Sequence, residues 1–260
     1  MKLDREPHRD SWTIQEYRFA KGTAMKSVFF GSIGAVAETS AFQRRAYNQA
    51  LSEVGLKWHW DGATYRQLLT YVGGRERLRL LADATGTELD EARIAQIHAR
   101  KTELACAAIV AARVPLRPGI AELAGRVRSG GGQVGLVTTT YKPNINAIFD
   151  LGHDGFKRET MDVIVGREDV ARGKPAPDAY QVALASTGLD AADVIAVEDT
   201  ATSAKAAKRA GLRVILTPGA YASGIADADV DLVVPSLTAS EGALDPRVAD
   251  LVELSGLVAQ

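Results

Sequence analysis

Residues Lys26–Thr39 read KSVFFGSIGAVAET, and the fold turns on how they are read. Ser27 to Phe30 is short and apolar, the pattern of a buried strand. Gly31 and Gly34 then mark a turn, and a helical run begins at Ser40. An apolar strand passing through a glycine turn toward a helix is where α/β proteins place their chemistry. Yet no carboxylate, thiol or imidazole stands between Phe30 and Glu38. The segment has the outline of a site without its reactive groups.

Outward from this stretch the pattern changes twice. From Ser40 to about Arg113 it is helical almost throughout. Phe42, Ala46, Tyr47, Ala50, Leu51 and Val54 recur at helical spacing, and glycines at 55, 62, 73, 74 and 86 punctuate the helices. Pro115, Pro118 and Gly119 close this block. The chain then alternates. Strands are predicted at 133–140, 162–166, 194–199 and in RVILTP from Arg213. Helices are predicted at 120–128, about 144–151, about 178–187 and up to Ala210. This rhythm predicts a doubly wound, Rossmann-like parallel sheet with helices on both faces. The expected division is a core of residues 26–39 plus 113–260, an inserted all-helical domain at 40–112, and an N-terminal extension at 1–25. That extension is either partly disordered or packed through Trp12 and Tyr17.

Composition narrows the function. The 260 residues are 46% hydrophobic and 24% charged, with a formal net charge of −1, ordinary values for a globular protein. No basic block marks a nucleic-acid surface, and no run reaches the roughly 20 apolar residues of a membrane span. The N-terminus carries acids and a proline but no apolar core, so no signal peptide is expected. The single cysteine, Cys106, can form neither an internal disulfide nor a zinc site, and it reads as a small buried helix residue. The fitting compartment is the cytoplasm.

Ligands of open α/β sheets sit at the carboxyl ends of the strands. The polar groups there are Thr138, Thr139 and Thr140, then Lys174 in RGKPAPDAY, then Glu198 and Asp199 in VEDTATSAKAAKRAG. Together they offer hydroxyls and amides to an anion, an ammonium to neutralise it, and a carboxylate pair to a hard cation. Each also has a structural reading. A threonine run often ends a strand, Asp199 could cap the following helix, and Lys174 could be a solvated loop charge. Their order on successive strand ends favours the functional reading.

These segments resemble the haloacid dehalogenase superfamily, in its β-phosphoglucomutase and CbbY-like sugar-phosphate phosphatase group. LVTTTYKP resembles the second motif, whose first hydroxyl, here Thr138, binds phosphate with Thr139 beside it. GKPAPDAY resembles the third, with its lysine at Lys174. VEDTATSAKAAKRAG resembles the fourth, whose acidic pair, here Glu198 and Asp199, holds Mg2+. WHWDGATYRQLLTYVGGRERL resembles the cap of CbbY-like enzymes, and AETSAFQRRAYNQAL the segment entering it. The resemblance implies phosphomonoester hydrolysis with magnesium, and Arg75 and Arg77 as contacts to a distal phosphate. A solvated helix start is an equal reading for those two arginines.

The first motif departs from the pattern. Such enzymes read Asp-x-Asp-Gly-Thr there, with a nucleophile and then a general acid/base. Laid on this sequence by the GAVAET continuation, those positions hold Gly31 and Ile33. The usual threonine is Ala35, and a histidine common at the cap entrance is Gln43. Losing both carboxylates removes the covalent route and the metal's anchoring ligand, so Mg2+ binding is expected to be weak or absent. Strand alternation would point Ser32 away from the side of its neighbours. Neither it nor Glu38 is expected to take over. His98 and His153 read as packing or surface residues. With Gly31 in place of an aspartate, Lys174 is expected to pair with Glu198 or Asp199. The leading expectation is a non-catalytic or very weakly active binder of a phosphorylated metabolite or a protein partner. The alternatives are a hydrolase using other residues and a purely structural module.

Overall fold

The computed structural model describes residues 26–71, 73–240 and 242–253. The expected 1–25 extension, with Trp12 and Tyr17, lies outside the described residues. Strand β1 (Ser27–Phe30) is followed by four helices: α1 (Ser40–Glu53), α2 (Gly62–Leu68), α3 (Gly74–Thr85) and α4 (Glu91–Ala111). Among the described residues of this block there is no strand. Alternation then begins with α5 (Ile120–Ser129), β2 (Val134–Val137), α6 (Lys142–Phe149), β3 (Val163–Val165), α7 (Asp178–Thr187), β4 (Val194–Glu198), α8 (Ala201–Arg209) and β5 (Arg213–Leu216). The chain continues through β6 (Leu232–Val233), β7 (Thr238–Ser240), β8 (Ala243–Leu244) and α9 (Pro246–Val252).

The six-stranded sheet has the order β3-β2-β1-β4-β5-β6, and every pairing in it is parallel. β1 therefore lies inside the sheet, with Val28 opposite Val134 on one side and Ile195 on the other. All four of its residues are buried, as a strand covered on both faces requires. Alternation sends Val28 and Phe30 into one face cluster, with Ile120 and Leu123, and Phe29 into the other, with Tyr180 and Ala183. The four inserted helices have their own apolar centre, built on Tyr47, Trp60, Tyr65, Leu78, Ile94 and Ile97. Gly73 (φ 91°) and Gly86 (φ 63°) bound α3 at positive φ, which glycine adopts at least cost.

Several boundaries move. β2 stops at Val137, so the three threonines lie in the turn beyond it and not in the strand. The small β7–β8 ribbon, β6 and α9 carry little sequence pattern and were not anticipated. Cys106 is half-buried, not buried, and its Sγ lies 3.8 Å from Asn144 Oδ1. No helix among the described residues is long and apolar enough to cross a membrane.

Candidate functional site

The strand ends of β1, β2 and β4 and the inserted helices face one another across a cavity of about 630 Å³, within the usual range for a small-molecule site. Ser32, Ile33, Thr138, Thr139, Thr140, Lys174, Glu198 and Asp199 line it from the sheet side. Arg75, Arg77, His98 and Lys101 line it from the helical side. The sequence-predicted groups are therefore brought together.

The turn after β1 is tightly built. Gly31 N–H donates to Val197 O at 2.9 Å, Val36 N–H to Ser32 O at 2.9 Å, and Gly34 N–H to Ala37 O at 2.9 Å. Gly34 holds φ at 81°, and a Cβ there would overlap the Asp199 carboxylate. Arg117 fastens the turn from outside, donating to Gly34 O at 2.5 Å and Thr217 O at 2.7 Å. Glu38 is engaged by backbone, accepting from Ser40 N at 3.0 Å and Ala220 N at 2.7 Å, close enough to Asp199 for its charge to act on that carboxyl.

Gly31 carries the first surprise. A Cβ built on it would overlap the carboxylate of Glu198. The glutamate, arriving from the adjacent strand β4, fills the space a side chain at position 31 would need. Its Oε1 is held by the Lys174 ammonium and by the Tyr180 hydroxyl. Lys174 also donates to Val137 O at 2.8 Å, and both ion-pair partners are almost wholly buried. The expected pairing of Lys174 is with Glu198. Burial, then the charges of Glu198 and Glu38, push the Asp199 carboxyl well above the ordinary aspartate range. Thr200, not Asp199, caps α8, accepting from Ser203 N at 3.2 Å. Among the described residues no three His, Cys, Asp or Glu side chains converge as a metal site.

Ser32 is a correction. Its Oγ lies 2.7 Å from Thr138 Oγ1, buried at the cavity wall. The alternation argument fails because extended pairing ends at Phe30 and the backbone at Ser32 has already bent. The hydroxyl pair meets no imidazole, amine or carboxylate among its hydrogen bonds; Thr138 Oγ1 otherwise accepts from Thr140 N at 3.2 Å.

The helical side was largely missed. Gln43 donates to Asn144 Oδ1 at 2.9 Å and accepts from Lys101 Nζ at 2.6 Å, joining α1, α6 and α4 through a buried chain. His98 is buried beside Tyr141, with ring centroids 5.1 Å apart. Desolvation and then Lys101, Arg75 and Arg77 hold its imidazole down at about 3, so it is neutral. Arg75 stacks over Tyr141 at 5.5 Å, and its Nε is buried without a partner. Arg77 donates to Leu68 O at 2.9 Å and Tyr71 O at 3.1 Å. The available signal was periodicity. His98 and Lys101 share a helix face with Ile94, Ile97 and Ala105, all buried, and polar residues on a buried face need an explanation. His153 packs as expected, its Nε2 2.9 Å from Val114 O.

The haloacid dehalogenase-like hydrolase family matches residues 13–211. The chain belongs to that family. Protein CbbY of Rhodobacter capsulatus is 35% identical over 83% of this chain and 95% of its own length. The crystal structure of CbbY from Rhodobacter sphaeroides in complex with phosphate is 36% identical, with a TM-score of 0.76 over 82% of this chain and 94% of that one. A substituted form of the same protein, in complex with xylulose-(1,5)bisphosphate, aligns equally well. Within the haloacid dehalogenase-like hydrolases the chain thus stands in the CbbY-like group.

Proposed function

We propose that this chain is a CbbY-like phosphatase homologue in which standard hydrolysis is lost or severely reduced, and that it binds a phosphorylated metabolite. One observation carries the reading. The space beside Gly31 is filled by the Glu198 carboxylate, whose charge is already met by Lys174 and Tyr180. No free carboxylate is left there to attack phosphorus, and Ile33 supplies no acid to the leaving group. The donor set also suits magnesium poorly, because Glu198 is committed to an ammonium and Glu38, the other carboxylate near Asp199, is taken up by the backbone amides of Ser40 and Ala220. The residues 40–112 act in this reading as a cap over the core of 26–39 and 113–260.

The ligand class follows from charge. Thr138, Thr139 and the turn amides can hold one phosphoryl group, and Arg75 and Arg77 across the cavity can hold another. A sugar bisphosphate of the kind found on the Rhodobacter sphaeroides protein fits that separation of roles. A protein partner is the other possible occupant of a scaffold without turnover; neither nucleic acid nor a membrane is proposed. The test is a panel of sugar phosphates with magnesium, beside an active family phosphatase. Turnover is expected on the order of 10⁴-fold lower or less, while calorimetry still registers binding. Turnover within about 100-fold of the control would overturn the reading in favour of a hydrolase using other residues.

A further inference from the structure

Lys101 has no role in the reading above, and its surroundings are unusual. It is only 5% exposed yet lines the cavity. Of its three N–H donors one is used, on Gln43 Oε1, and the ammonium faces the Tyr47 ring at 4.8 Å. No carboxylate of the described residues forms an ion pair with it. The groups around it are Gln43 and Tyr47 from α1, Arg77 from α3, and His98 and Cys106 from its own helix. A lysine in this setting prefers to be neutral: desolvation, then the charge of Arg77, bring it down to about 7. Tyr47 Oη adds an independent observation. It is buried at the same cavity wall and makes no well-aligned hydrogen bond, although the Arg77 guanidinium lies near enough to act on it, and it and the His98 ring crowd Gly74.

We infer that Lys101 is an amine nucleophile that captures the carbonyl group of an open-chain phosphorylated aldehyde or ketone as an imine. The inference rests on the phosphate-binding reading, since Arg75 and Arg77 would bring the ligand's phosphate to the same half of the cavity. The lysine nitrogen lone pair forms a bond to the carbonyl carbon, and the carbonyl π electrons move to oxygen. That oxygen takes the proton lost by nitrogen, giving a carbinolamine. The carbon–oxygen bond then breaks, water leaves, and a carbon–nitrogen double bond remains. The Tyr47 hydroxyl, beside the Arg77 guanidinium, is suited to pass the proton to the departing oxygen. No oxidant, reductant or metal is required.

The full-length protein is incubated at pH 7.5 with dihydroxyacetone phosphate and sodium borohydride, and labelled lysines are mapped by mass spectrometry. Lys101 is expected to be labelled at least about tenfold more than any other lysine. Excess inorganic phosphate should suppress the label, and Lys101→Arg should abolish it. Tyr47→Phe should slow labelling about tenfold without weakening binding of glycerol 3-phosphate, which has no carbonyl. Uniform labelling of surface lysines in the wild-type protein overturns the inference whether or not the variants fold. If glycerol 3-phosphate binds and Lys101 stays unlabelled, the imine is wrong and the phosphate-binding reading stands. If neither ligand binds, both fail.

Discussion

The two walls of the cavity solve the problem of buried charge in opposite ways. On the sheet side, Lys174, Glu198 and Tyr180 close on one another, and Asp199 is driven toward its neutral form. On the helical side, Arg75, Arg77 and Lys101 line the cavity, and no carboxylate of the described residues forms an ion pair with them. One wall is largely neutralised from within. The other carries the cationic charge of Arg75 and Arg77, beside a lysine that burial drives toward its neutral form. Under the proposed function, a chain with Gly31 and Ile33 at the end of β1 has a pocket whose remaining attraction is for anions.

The sharpest way to break this contrast is to unbalance the paired wall. Lys174→Met leaves Glu198 buried against a hydroxyl alone, and it should cost about 3–5 kcal/mol in denaturant unfolding. Adding Glu198→Gln should recover a large part of that loss. If the single variant costs no more than a surface substitution, the wall is not internally neutralised.

Rebuilding the first motif comes next. From sequence alone, Gly31→Asp looks the milder repair, since glycine carries no packed side chain, and Ile33→Asp the riskier, since an isoleucine there could be buried. The structure reverses that order, because position 31 is occupied by the Glu198 carboxylate whereas Ile33 is half-buried at the cavity wall. Gly31→Asp should destabilise by about 2–4 kcal/mol without metal, and Ile33→Asp by less. Millimolar Mg2+ should restore part of the Gly31→Asp loss and leave the wild type unmoved. Equal melting shifts in both proteins would mean that the wild-type donor set already holds the ion.

The unpaired wall should reveal itself through pH. His98 keeps its folded pKa at about 3, below the ordinary 6.5, so the unfolded chain binds its proton first. Stability should fall as pH drops through about 6.5 toward 3, and His98→Gln should flatten that slope. Lys101, held at about 7 against an ordinary 10.5, produces the same sign in a higher window. Stability falls as pH drops from about 10.5 to about 7, and Lys101→Met removes it. Each slope should amount to about 1–3 kcal/mol in unfolding free energy. The smallest expected effect is that of Arg75→Ala, which should weaken binding of a sugar bisphosphate about tenfold. Its melting temperature should barely change, because its Nε makes no internal hydrogen bond.

Much of the scaffold was readable because parallel strands buried on both faces are written as local apolar runs. Helix α7 was read at its observed bounds, since a proline precedes it and a glycine ends it. Lys174, Glu198 and Asp199 were legible as strand-end polar groups. Tyr180 was not, because its position on α7 gives no sign that its hydroxyl reaches Glu198 at the end of β4. The helical wall escaped for a related reason. Periodicity says which face of α4 is buried but not what that face meets.

The sequence by itself determined the order of elements and the absence of a carboxylate at positions 31 and 33, since both are properties of residues in line. Only the tertiary structure decided what replaced them. Parallel pairing of β1 with β4 sets Gly31 beside Glu198, and the missing Cβ lets that carboxylate settle there. Packing of α4 on α1 brings Lys101 to Gln43, 58 positions away along the chain. Contacts of that kind depend on how faces meet in space, and no local pattern encodes them.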